Sequence, residues 1–206
     1  MPALLTNLEQ LSKPDLEPTP FEDVVTYLHS TKGEEPLVRL LMPASRQMLE
    51  SKLGIAFYTQ QLRATFEFTW FYRGVDMPSW YNDPDERTCT LPRPPLQSYD
   101  VLEFETDIDI FSSLDNSSYQ TITQFPSQVR LYTGFLTTLT PWWSSLARRP
   151  RMRVTYTCGY NTVDAIPEKY KLMLLQVIAY NYLEREVGGI PATMSSDILG
   201  EKIITL

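Results

Sequence analysis

The apolar residues of this 206-residue chain change their spacing twice, and that limits the folds open to it. Phe21, Val24, Val25 and Leu28 recur at i, i+3, i+4 and i+7, the spacing of a short amphipathic helix stopped near Gly33. Residues 35–53 continue the helical pattern, with Pro36 in the first turn and Gly54 just past the end. Pro43 lies inside it, where a proline deletes a backbone hydrogen bond and is expected to kink the helix. The period then becomes two. Leu62, Ala64, Phe66, Phe68, Trp70 and Tyr72 alternate with mostly polar residues over 62–73, which predicts a long half-buried strand. Alternation returns at 101–110 and at 151–158, where Met152, Val154, Tyr156 and Cys158 share one face and Arg151, Arg153, Thr155 and Thr157 the other. Shorter strands are expected at 119–123 and 128–133. The segment TCTLPRPPLQS at 88–98 is broken by Pro92, Pro94 and Pro95, which suits a sheet edge or corner. From Pro167 to about Val187 the helical pattern comes back, apolar on nearly every side and interrupted in its middle only by Gln176 and Asn181. Such a helix is usually buried all round, and here a neighbouring subunit is expected to supply part of the cover. Helices, then strands, then a helix is segregated α+β rather than alternating βαβ.

The ends read differently. Residues 1–20 carry Pro14, Pro18 and Pro20 and no sustained period, as expected of an extended N-terminal arm that orders only against a partner. The tail 190–206 ends in the β-prone KIITL, and its apolar residues Ile198, Leu199, Ile203, Ile204 and Leu206 are candidates for docking. Between them lies a domain at 21–189, made of helices 21–53, a β region 55–158 expected to be antiparallel, and helix 167–187. With 18 Lys+Arg against 25 Asp+Glu, the formal net charge of -7 argues against clamping nucleic acid through its phosphates. A chain of this charge can still surround DNA without gripping it. No stretch reaches the roughly 20 apolar residues of a membrane span. The start MPALLTNLEQ lacks a basic n-region, so export is not expected.

Cysteine and histidine counts remove several chemistries. Cys89 and Cys158 are the only cysteines and His29 the only histidine, which leaves no ligand set for a structural zinc. His29, in TYLHSTKG, reads as the end of a short helix, and the two cysteines as buried free thiols. The chain has no phosphate-cradling glycine loop and no nucleophile elbow. Residues 82–86 (NDPDE) lack calcium-loop spacing and read as a turn. Two charged segments remain. Glu103, Glu105, Asp107 and Asp109 fall at i, i+2, i+4 and i+6, so a strand would set four carboxylates on one face about 7 Å apart. That face fits a charged edge that prevents sheet-to-sheet pairing, a channel lining that repels a polyanion, or a divalent-metal site. The basic run Arg148, Arg149, Arg151 and Arg153, near Trp142 and Trp143, is a candidate interface. It suits an acidic surface on another protein copy at least as well as nucleic acid.

Several ordered blocks carry a family resemblance. They are FEDVVTYLHS (21–30), LESKLGIAFYTQQLRATFEF (49–68), TLPRPPLQSYDVLEFE (90–105), the Tyr-Gln-Thr strand at 119–121, and RMRVTYTCGYNTVDAIPEKYKLMLLQVIAYNYLERE (151–186). Over about 21–187 the chain resembles the head–tail connector (adaptor, or head-completion) proteins of long-tailed bacteriophages. The resemblance implies a structural virion protein with no catalysis and no cofactor or metal. Such proteins assemble as a ring, typically of twelve, beneath the portal protein, extend the DNA channel and receive a stopper or other tail-side neck protein. It implies that genomic double-stranded DNA passes through the lumen without specific binding, and that the protein is made in the host bacterial cytoplasm. The resemblance would set the acidic strand toward the channel and the 190–206 tail on the portal. The alternatives are a tail-terminator or other neck protein, or a metal-dependent hydrolase using Glu103, Glu105 and Asp107. The arm 1–20, Pro43 and the loops 107–118 and 134–150 depart from the family pattern.

Overall fold

The computed structural model describes residues 3–12, 14, 17–68, 88–124, 126–132, 151–184 and 190–191. The described residues divide into two units, one built from the N-terminal segment and residues 60–158, the other from residues 14–59 and those beyond 158.

The first unit holds eight strands among the described residues: β1 (Leu4–Gln10), β2 (Gln60–Glu67), β3 (Thr88–Thr90), β4 (Leu96–Asp107), β5 (Ile110–Ser113), β6 (Tyr119–Ile122), β7 (Gln128–Leu131) and β8 (Arg151–Cys158). They form an antiparallel five-stranded sheet in the order β1-β2-β8-β4-β5 and a three-stranded sheet in the order β3-β7-β6. Period-two spacing sets one face of the large sheet. Leu62, Ala64, Phe66, Met152, Val154, Tyr156, Leu102 and Phe104 are all buried, and Phe68 stacks on Phe104 at 6.0 Å. Each large apolar side chain removed from water there contributes about 1.5–3 kcal/mol. The Tyr99 hydroxyl reaches the carbonyls of Ile122 and Gln128 at 3.1 and 2.9 Å, and Tyr156 donates to the Pro92 carbonyl at 2.8 Å. These bonds tie β4 and β8 to the small sheet and to the proline segment. Burial pushes the Tyr99 phenol up to about 12. β3 is an edge strand of the small sheet, and Pro92, Pro94 and Pro95 lie beyond its end, in the segment that leads to β4.

The second unit is helical: α1 (Phe21–Leu28), α2 (Glu35–Leu53) and α3 (Glu168–Glu184). His29 ends α1 in the left-handed region at φ 50°, its amide and that of Ser30 closing on Thr26 and Val25. The helix therefore ends at Leu28, five residues before Gly33. In α2 the buried residues Val38, Leu41, Met42, Ser45, Arg46, Leu49, Glu50 and Leu53 form one stripe at helical spacing, and Gly54 caps it at φ 72°. Pro43 lies within that single helix, which continues on both sides of it. Two polar arrangements are built into this core. Arg46 bridges Glu17 and Glu50 at 2.9 and 3.1 Å, and Glu50 also accepts the Phe57 amide at 2.9 Å. Asn181 of α3 donates to Ser45 of α2 at 3.1 Å. Phe57 and Tyr170 pack with ring centroids 5.7 Å apart. At Gly159, with φ 102°, an added Cβ would overlap the Tyr58 carbonyl, so only glycine fits.

Two expectations change. Residues 4–10 are not an arm waiting for a partner, because they pair with β2 and form the sheet edge. Residues 101–110 are not one strand: β4 ends at Asp107, residues 108–109 make a turn, and β5 starts at Ile110. α3 is covered on one side by its own chain. Tyr170, Leu174, Val177, Ile178 and Asn181 face the core, while Leu172 and Leu183 are 51% and 78% exposed. Residues 69–87, the loop 134–150 and the tail from 192 lie outside the described residues.

Candidate interaction surfaces

The acidic row and the basic run are two sides of one lattice. Alternation along β8 turns Arg151 and Arg153 to the face opposite Met152 and Val154, and antiparallel register brings β4 beside them. Glu103 stands opposite Arg153, and Arg151 clasps Glu105 through Nε and Nη2 at 3.0 and 2.7 Å. The Glu105 carboxylate is fully buried, against 20% exposure for the Arg151 side chain. Arg151 also reaches Asp109 at 2.5 Å, and the Asp109 amide donates back to Glu105 at 3.1 Å. These carboxylates, Glu105 first, hold the Arg151 guanidinium charged well above its ordinary range. The Arg153 guanidinium lies 3.6 Å over the Phe111 ring of β5, a cation–π contact worth about 0.5–1 kcal/mol near a surface.

This arrangement overturns the reading of four carboxylates on one open strand face. Glu105 is buried, and Asp109 belongs to the turn, in the left-handed region at φ 60°. Asp107 is exposed and accepts the Ile108 amide at 2.7 Å. It also weakens the hydrolase alternative. A carboxylate already accepting two guanidinium hydrogen bonds is poorly placed to ligate a metal. Among the described residues, no three His, Cys, Asp or Glu side chains are grouped to hold one. Arg151 is likewise not waiting for an acidic partner copy, because its partners are Glu105 and Asp109 of its own chain. Arg148, Arg149, Trp142, Trp143 and the tail residues Ile198, Leu199, Ile203, Ile204 and Leu206 lie outside the described residues. Cys89 and Cys158 are buried free thiols, and burial pushes the Cys89 thiol up. No helix among the described residues is long and apolar enough to cross a membrane.

Two surfaces escaped the sequence reading. One is the β4–β5 hairpin tip, where Ile108 and Ile110 are 63% and 56% exposed. The alternation Asp107-Ile108-Asp109-Ile110 simply continues the strand pattern, and no Asn-Gly or Asp-Gly marks the turn. The other is a cleft of about 490 Å³ in the helical unit, where Pro20, Phe21, Met42, Pro43 and Val163 form apolar walls. The Arg39 guanidinium sits 3.8 Å over the Phe21 ring beside it.

No protein-family model and no curated protein sequence matches the chain. Solved structures do. A chain described under "Neck of empty GTA particle computed with C6 symmetry" matches with a TM-score of 0.66 at 14% identity, covering 98% of this chain and 97% of that one. One from "Virion of native gene transfer agent (GTA) particle" matches at 0.67 and 12%, with the same coverage. A third, from "Neck of native GTA particle computed with C12 symmetry", matches at 0.58 and 12%, again over 98% and 97%. At these identities the likeness concerns architecture, and it runs nearly end to end in both partners. The chain has the α+β fold of chains found in the neck and virion of gene transfer agent particles.

Proposed function

We propose that the chain is a structural virion protein of the head–tail neck, assembling as a ring beneath the portal and extending the DNA channel. The observation that carries this reading is the nearly complete two-way overlap with chains of gene transfer agent necks, two of them in particles computed with C6 or C12 symmetry. An overlap of 98% and 97% leaves little room for a catalytic insertion on either side. The exposed apolar residues support it. Leu172 and Leu183 on α3 and Leu40 on α2 face solvent in the isolated chain, and a ring neighbour would cover such positions. The ring contains about twelve copies, contacts the portal on one side and a stopper or tail-side neck protein on the other, and performs no catalysis. Double-stranded DNA passes through without specific binding, as the net charge of -7 favours. On this account Glu103, not the clasped Glu105, is the carboxylate left for the channel, and the 190–206 tail docks on the portal by strand addition.

The test is co-sedimentation of the purified chain with portal particles of the same virus. Stoichiometric binding to the portal supports the adaptor role. Binding to tail-tube protein in its place would support a tail terminator, and binding to neither would remove the neck reading.

A further inference from the structure

The β4–β5 hairpin carries more apolar surface at its tip than the sheet uses. Ile108 stands in a two-residue turn, where Asn, Asp or Gly is normal, and it and Ile110 are more than half exposed. The tip is nonetheless fixed. Arg151 binds both Glu105 and Asp109, the Asp109 amide closes on Glu105, and Asp107 accepts the Ile108 amide. A tip held in one shape by its own chain loses little freedom when a partner takes it up. With Asp109 engaged by Arg151, Asp107 is the exposed carboxylate beside the two isoleucines.

The cleft of the helical unit has the complementary chemistry. Its walls are Pro20, Phe21, Met42, Pro43 and Val163, and its cation is Arg39, stacked on Phe21 and exposed. Glu17 also borders it, but that carboxylate is held by Arg46 at 2.9 Å. At about 490 Å³ the cleft is in the size range of ordinary ligand pockets, ample for branched side chains. We infer that the hairpin tip of one copy docks in the helical-unit cleft of a second copy, with Ile108 and Ile110 against the apolar walls and Asp107 facing Arg39. Tip and cleft are different patches, so the contact is heterologous, and its repetition closes a ring or continues as a filament. The inference rests on the ring reading above and names its head-to-tail contact.

Disulfide trapping tests it cleanly, because Cys89 and Cys158 are both buried and stay silent. Chains carrying Ile108→Cys and chains carrying Arg39→Cys are mixed under assembly conditions, oxidised mildly and mapped by mass spectrometry. The expected product is the 108–39 link in excess over 108–108 and 39–39. Val163→Cys, on the cleft wall, replaces Arg39→Cys if that variant fails to fold. In parallel, Asp107→Lys and Arg39→Glu should each lose assembly, and the double variant should regain it. Absence of the mixed link, or a double variant no better than either single one, overturns the contact. If wild-type chains form rings in the electron microscope while the mixed cysteine variants give no 108–39 link, only the tip–cleft contact falls. If wild-type chains form no ring even on the portal, the ring reading fails, and this contact with it.

Discussion

Replacing Arg151 by methionine should unfold the sheet unit at markedly lower denaturant. The change keeps much of the aliphatic stem but strips two hydrogen bonds from Glu105, a carboxylate with no exposure to water. Breaking a buried ion pair from one side costs about 3–5 kcal/mol, because the remaining charge loses its counter-charge. The Arg151 side chain is 20% exposed, so water partly enters the gap. That places the expected loss near the lower end, about 3 kcal/mol. For a chain of this length the loss lowers the melting temperature by roughly 6–12 °C. Urea unfolding of Arg151→Met, Glu105→Gln and the double variant, followed by circular dichroism and fluorescence, gives the coupling directly. Removing both charges should cost clearly less than the sum of the single losses. A single variant within about 1 kcal/mol of wild type at unchanged m-value would refute the clasp, as would strict additivity. The experiment also separates two roles for Arg151. An interface arginine would weaken assembly and spare the monomer, whereas a clasp weakens the monomer itself.

Three further outcomes follow from the same geometry. Gly159→Ala should destabilise the chain by about 2–4 kcal/mol in chemical denaturation, since its φ is 102° and the added Cβ meets the Tyr58 carbonyl. Stability should fall as pH rises from about 10 to about 12, because the unfolded chain releases the Tyr99 proton first while the folded chain retains it. In Tyr99→Phe that part of the alkaline loss should disappear. Leu172→Ser with Leu183→Ser should leave monomer stability within about 0.5 kcal/mol, both being half or more exposed, yet abolish ring formation on the portal.

Local pattern carried much of the fold. Alternation alone placed β2 and β8 and their buried faces, because one side of each packs on a core while the other stays polar. The bounds of α2 were legible from Pro36 and Gly54, whose backbone preferences act within one turn. What escaped was non-local. Arg151 and Glu105 are 46 residues apart, and only antiparallel register makes an apparent acidic face and a basic run neutralise each other. Leu4–Gln10 was missed because an edge strand exposed on both sides needs no clean alternation: its backbone bonds to β2 order it. The turn at Ile108 and Asp109 was invisible because Asp109 takes a left-handed conformation without glycine, held there by Arg151. The exposed row on α3 was hidden by composition, since leucines at Leu172 and Leu183 look like core residues wherever they stand.

The central claim is the ring, and the most direct measurement is electron microscopy of the purified chain bound to portal particles, averaged without imposed symmetry. The account predicts a closed ring of about twelve copies, coaxial with the portal channel and open along its axis. Single copies scattered on the portal rim, or density that plugs the channel, would contradict it.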